Sequence, residues 1–135
     1  SVYGHLKAAV EELASALEAR GQKVSVFDLA RDDMAEAVED AFRYDRLVLA
    51  SITYQGEIFP CMSTFIHTLA EHAYQNRTVA LVESGSWAPA AAKVMTKEIE
   101  GMKDITLTQN KVTVLGSLND ASRAQIEALA DELSK

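Results

Sequence analysis

Cysteine is almost absent from this chain: Cys61 is its only one among 135 residues. No internal disulfide can form, and a reducing cytoplasm is the expected setting. No apolar run approaches the roughly 20 residues of a membrane-spanning helix, which leaves membrane-embedded functions out. Nor does the start of the sequence combine basic residues, an apolar core and a cleavage site in the manner of a secretory leader. Positive charge is also scarce, with 13 Lys and Arg against 20 Asp and Glu and a formal charge of −7. Such a chain repels nucleic-acid phosphate and anionic membrane surfaces, so neither is an expected partner and a basic protein fits better. Linkers, repeats and low-complexity tracts are missing as well, and one domain over residues 1–135 is expected.

What the sequence does contain is hydrophobic residues, 48% of the total, enough for a core without disulfide or metal staples. Leu6, Val10, Leu13, Ala14 and Leu17 recur at helical spacing, and Gly21 suits the position just past the helix end. Val24, Val26 and Phe27 form a short β-prone run. Asp32 or Asp33 can then cap an amphipathic helix through Met34, Val38 and Phe42. Leu47 to Ala50 reads as a strand covered on both faces, and Val79 to Val82 repeats that pattern. Between them, Pro60 suits the first turn of a helix that turns Met62, Phe65, Ile66, Leu69 and Ala73 inward. Pro89 suits another helix start, with Ala92, Met95, Ile99 and Met102 inside. Ile105 to Leu115 alternates as one longer strand, and Asn119 or Asp120 caps a last helix burying Ile126, Leu129, Ala130 and Leu133.

The predicted order is therefore α-β-α-β-α-β-α-β-α, which implies a three-layer α/β/α domain on a parallel sheet with right-handed crossovers. Such sheets bind ligands beyond the carboxyl ends of their strands, so the loops there carry the interest. Ser1-Val2-Tyr3-Gly4-His5 precedes the first helix, where hydroxyls and free N–H groups can cradle a phosphate, though the same residues also make an ordinary cap. Thr53-Tyr54-Gln55-Gly56-Glu57 offers an aromatic face and a glycine beside it, or a plain surface turn. Glu83-Ser84-Gly85-Ser86-Trp87-Ala88-Pro89 holds the only tryptophan, whose ring can stack on a flat ligand or plug a core edge.

Taken together, these three loops, with Asn76-Arg77-Thr78-Val79, Glu100-Gly101-Met102-Lys103 and Ala128-Leu129-Ala130, resemble the flavodoxin-like C-terminal domain of flavodiiron proteins over essentially the whole chain. The resemblance implies a flavodoxin-like fold with non-covalent FMN passing electrons. It places the phosphate at Ser1, Tyr3, Gly4, His5 and Leu6. It places the isoalloxazine between Thr53, Tyr54, Gln55 and Gly56 on one side and Ser84, Gly85, Ser86, Trp87 and Ala88 on the other. Which of Tyr54 and Trp87 stacks directly stays open. It also implies a metallo-β-lactamase-like diiron domain in the parent protein, which reduces oxygen or nitric oxide, and a redox partner such as rubredoxin or a reductase. Homodimerisation is left open.

Two departures accompany the resemblance. Leu6 stands where the family usually has threonine or serine, which removes a hydroxyl ligand worth about 1 kcal/mol. Family members also carry a hydrophobic strand just before the phosphate loop, central in a sheet of order 2-1-3-4-5, and this sequence begins after it. The expectation is thus of a fragment lacking its first strand, of direct pairing of the two neighbouring strands, or of a strand supplied by another chain. His67 and His72, five apart, do not share a helix face, and Cys61 reads as a packing residue, so no metal site and no catalytic residue is expected. A receiver-like signalling domain shares the topology, but Ser51 stands where its phosphorylated aspartate would be. The rival functions are a flavin-free docking or oligomerisation module and a stand-alone flavodoxin or quinone reductase.

Overall fold

In the computed structural model, described for residues 2–53, 58–85 and 89–135, the hydrophobic periodicity resolves into two helical layers around a parallel sheet. Helix α1 (Val2–Ala19) leads to α2 (Met34–Arg43), β1 (Arg46–Ile52), α3 (Pro60–Glu71), β2 (Arg77–Gly85) and α4 (Ala91–Ile99). Strands β3 (Ile105–Leu107) and β4 (Val112–Leu115) and helix α5 (Asp120–Leu133) complete the chain. The fold is α/β and flavodoxin-like, as the element pattern implied.

Strand β2 is the hub. It pairs in parallel with β1 on one side and with β3 and β4 on the other, and its last seven residues are all buried. Its side chains divide the core between the two layers. Leu6, Leu13 and Leu17 of α1 pack with Ala80, Val82, Val112 and the α5 residues Ile126 and Leu129. On the other face, Phe65 and Leu69 of α3 and Met95 of α4 pack with Leu49, Val79 and Leu81. This double burial is why β1 and β2 read as continuous apolar runs rather than alternating ones.

The helix ends follow the local chemistry. Gly21 adopts φ +83°, and the N–H of Gln22 returns to the Leu17 carbonyl at 3.0 Å, closing α1 with a left-handed residue as expected. Asp33 caps α2 through the Ala35 N–H at 2.9 Å. Pro60 sits at the start of α3, and Asn119 with Ser122 forms a capping box on α5. The C-terminus of α2 is closed from outside: Arg77 donates to the carbonyls of Phe42 and Tyr44, both at 2.9 Å, and its guanidinium carbon lies 5.1 Å from the Tyr74 ring centroid.

Five expectations need correction. Residues 2–5, expected as a loop before the first helix, already belong to it, because α1 begins at Val2. Val24 to Phe27 is extended but is not a strand, because no described residue pairs with its backbone. Ile105 to Leu115 is two strands rather than one. The pairing offset against β2 grows by two residues between Val79↔Leu107 and Val82↔Val112, and the extra length is taken up where Glu132 accepts the N–H groups of Gln109 and Asn110. Ala73 is exposed at φ +58°, past the end of α3, and the buried position falls to Tyr74, 2% exposed. Finally, α4 begins at Ala91, two residues after Pro89, for a reason that lies in the site.

Candidate functional site

Strand direction places the loops. Arg46, at the amino end of β1, donates to the carbonyls of Leu133 and Lys135, so α5 ends at the amino edge of the sheet. Arg20, just past α1, is held by Glu127 at 2.6 Å and Asp131 at 2.8 Å on that same end of α5. Arg123 reaches Glu12 of α1 one turn and more earlier, at 3.2 Å. Helix α1 therefore runs beside α5 and antiparallel to the strands, and its first turn lies at their carboxyl edge. The starts of α1 and the ends of β1 and β2 converge there, which is the edge where an open α/β sheet holds a ligand.

At this edge the positions diverge in what they can offer. Ser1, Tyr54, Gln55, Gly56, Ser86, Trp87 and Ala88 lie outside the described residues, and of Tyr3 only the helical backbone is described. Gly4 is exposed and His5 half-buried in the first turn, while Leu6 is 7% exposed and packs into the α1/α5 core. The Leu6 side chain is thus committed to packing, and its N–H lies one turn inside α1, within reach of the helix's own Val2 carbonyl. Gly85 ends β2 with Pro89 so close that an added Cβ would lie 3.3 Å from the Pro89 Cβ.

Five buried polar side-chain atoms have no hydrogen-bond partner among the described residues, and two of them, Ser84 Oγ and His5 Nδ1, belong to this edge. Ser84 is fully buried. An unpaired buried hydroxyl costs about 1–3 kcal/mol, which a bound polar ligand can offset. Such atoms at a carboxyl edge suit a ligand with polar ring edges and a phosphate.

The framework of the edge is built by two residues whose part the sequence did not disclose. Thr53 Oγ accepts from the N–H groups of Ala90 and Ala91 at 2.8 and 3.1 Å. Glu83, 3% exposed, accepts from the Ala92 N–H at 3.0 Å and the Thr113 hydroxyl at 2.9 Å, with Lys111 Nζ at 3.5 Å. The first turn of α4 is therefore capped across the fold rather than by its own N-cap, Ala90, which has no side-chain cap. The negative charge of Glu83 also faces the positive end of the helix dipole. This arrangement sets the α4 start at Ala91 and ties the ends of β1, β2 and β4 to one helix. Nothing local signals it, since the partners are far apart in sequence.

His67 and His72 are both exposed on α3, the latter with Nδ1 2.9 Å from the Thr68 carbonyl. Among the described residues no group of three His, Cys, Asp or Glu could hold a metal ion, and no helix is long and apolar enough to cross a membrane.

This combination of sheet, layers and carboxyl-edge loops defines a flavodoxin-like domain. No protein-family model and no curated protein matches the chain, but solved structures do. It is similar to the rubredoxin oxygen:oxidoreductase of the anaerobe Desulfovibrio gigas, with a TM-score of 0.89 and 16% identity over 96% of this chain and 32% of that one. A flavodoxin from the domain Archaea matches with a TM-score of 0.84 and 18% identity over 99% of this chain and 91% of that one. A variant of the flavo di-iron protein of Thermotoga maritima matches at 0.82 and 21% identity over 98% and 33%. The chain thus spans about a third of the flavodiiron chains and most of the flavodoxin. Its fold resembles flavodoxins and the flavin domains of flavodiiron proteins.

Proposed function

We propose that this domain binds FMN at the carboxyl edge of its sheet and carries electrons. The observation that carries the reading is the buried Ser84 hydroxyl without a partner, beside the end of β2 and close to where α1 begins. FMN supplies one- and two-electron redox chemistry when bound, so the polypeptide need only hold and orient it. The first turn of α1, which holds Gly4 and His5 with Leu6 following, presents its positive dipole end to the phosphate. Tyr3 belongs to that same turn, and Ser1 precedes it in the sequence. Thr53 and Glu83 hold the strand ends and the start of α4 in place. Tyr54, Gln55 and Gly56, with Ser84, Gly85, Ser86, Trp87 and Ala88, flank the ring system.

The parent we propose is a flavodiiron oxygen or nitric oxide reductase, with a metallo-β-lactamase-like diiron domain as neighbour and rubredoxin or a reductase as redox partner. The lone Cys61 suits a cytoplasmic setting. The fold similarity to flavodiiron chains and to a flavodoxin supports the electron-carrying reading.

The test is an FMN titration of the purified chain, followed by flavin fluorescence and the visible absorption bands. Saturable quenching at one flavin per chain is expected. A chain that leaves flavin fluorescence unquenched at every concentration is instead a flavin-free docking module.

A further inference from the structure

Thr53 follows β1 and directly precedes Tyr54, Gln55 and Gly56, so it forms the root of one ring-side loop. It also holds both ends of the other. Its N–H donates to the Ser84 carbonyl at 3.1 Å, where the chain is about to leave β2. Its Oγ accepts from Ala90 and Ala91 at 2.8 and 3.1 Å, where the chain enters α4. One residue thus binds the outgoing and the returning foot of the segment between Gly85 and Pro89. These feet lie close together, since a Cβ added at Gly85 would stand 3.3 Å from that of Pro89.

Each partner of Thr53 belongs to a fixed body. Ser84 is part of β2, which is paired on both sides, and the Gly85 carbonyl accepts from the Gly116 N–H at 3.3 Å. Ala91 is fully buried, as is Met95 one turn on. The start of α4 is therefore set into the core, and water cannot take over as acceptor for the Ala91 N–H. Nor can a neighbour do so: Ala90 offers no side-chain cap, and the Glu83 carboxylate is engaged by Ala92 and Thr113. A hydroxyl has two lone pairs, and the two N–H groups use both.

We propose that Thr53 is the positioning residue of the ring site: by tying both feet of the 85–89 segment to the root of the 54–56 loop, its hydroxyl sets the spacing of the two loops for a planar ligand. The side chain acts through the loops and does not have to touch the ligand. A plain helix cap contributes stability alone, whereas a residue that joins two loops shapes the gap before the ligand arrives, and its loss falls on binding. The identity of the ligand rests on the flavin reading; the tie between the loops does not.

The experiment compares Thr53→Val, which keeps the branched shape and loses the acceptor, with Thr53→Ser, which keeps the hydroxyl. Trp87, the only tryptophan, lies within the tied segment and reports on it without flavin. Time-resolved fluorescence anisotropy of the flavin-free chain is expected to show a larger nanosecond component in Thr53→Val and the parent's component in Thr53→Ser. Thr53→Val is expected to bind FMN and riboflavin more weakly by the same factor, about tenfold, the scale of one modest net hydrogen bond. The factor is shared because the phosphate end, at α1, lies outside the tie. Thr53→Ser should restore both affinities. Gly21→Ala, destabilised at the opposite edge of the sheet, should leave anisotropy and affinities unchanged, which separates positioning from a general loss of stability. Thr53→Cys, with only a weak sulfur acceptor, should fall between parent and valine and carries the test if the valine variant does not fold. Parent-like anisotropy and affinities in Thr53→Val overturn the proposal, as do equal changes in Gly21→Ala. A parent that binds no flavin, with Trp87 freed in Thr53→Val, overturns the flavin reading and supports the tie between the loops.

Discussion

Replacing Glu83 tests whether the carboxyl edge is held together from within. In Glu83→Ala the Ala92 N–H and the Thr113 hydroxyl lose a charged acceptor in a buried place. Hydrogen bonds to charged groups contribute about 1.5–3 kcal/mol each. Part of that is returned because a carboxylate no longer has to be desolvated, and the half-exposed Lys111 adds little. The net cost works out at about 3 kcal/mol. Glu83→Gln keeps an acceptor for Ala92 and a group able to meet the Thr113 oxygen, so its cost is about 1 kcal/mol. In urea, with a slope of about 2 kcal/mol/M, the midpoint should fall by about 1.5 M for alanine and about 0.5 M for glutamine. A double-mutant cycle with Thr113→Val should show coupling of about 1 kcal/mol. Equal losses for alanine and glutamine, or an alanine variant within about 0.5 kcal/mol of the parent, would refute the assignment of Glu83 as a cross-fold cap.

Tyr74 gives a pH signature. Burial pushes its hydroxyl up to about 12, with nearby Arg77 pulling in the opposite direction. Its neutral form is the one favoured by folding, so the associated stability is intact below about pH 10, the unfolded value, and is lost as the pH rises from there through about 12. Tyr74→Phe should remove that alkaline loss in urea midpoints taken between pH 8 and 12. At neutral pH it should leave stability equal or slightly higher, because the hydroxyl has no partner among the described residues. Glu132 should act at the other end of the scale. The Gln109 N–H, with help from Asn110, holds its carboxyl below the usual range, so the clasp is present above about pH 4.5 and lost as the pH falls through the lowered value. Protection factors at the Gln109 and Asn110 amides should then fall, and Glu132→Ala, which has no acceptor, should show the low protection at all pH values. Gly21→Ala should cost about 1–2 kcal/mol in urea unfolding from backbone strain alone, since open space surrounds the missing Cβ. Gly101→Ala, a control in equally open space and without a positive φ, should cost less than about 0.5 kcal/mol.

Much of the architecture was legible because burial on two faces writes itself into composition. Leu47–Ala50 and Val79–Val82 could hardly be anything but interior strands, and the caps at Asp33, Pro60 and Asn119 are local chemistry. The misreadings share a different origin. Val24, Val26 and Phe27 have strand propensity, but a strand exists only with a bonded neighbour, which no local pattern supplies. The register step between β3 and β4 depends on a Glu132 carboxylate from the following helix. The α4 start depends on Thr53 and Glu83. At the site, the loop positions were marked by residue type, Trp87 and Gly85 above all. Glu83 carries no such mark, since its partners at Ala92 and Thr113 come from other elements.

The guanidinium of Arg77 has a consequence for the order of assembly. Helix α2 has only ten residues, too few to persist alone in water, and its final carbonyls at Phe42 and Tyr44 are bound by a side chain from a strand formed more than thirty residues later. Until that strand is in place, the Phe42 and Tyr44 carbonyls at the negative end of α2 lack this partner, so part of the helix's stability is conditional on β2. A lysine is a poorer substitute, because its compact ammonium lacks the planar fork that spans the two carbonyls while lying over the ring. The second helix is in this sense a reporter of the sheet: wherever β2 is loosened, α2 should unwind with it.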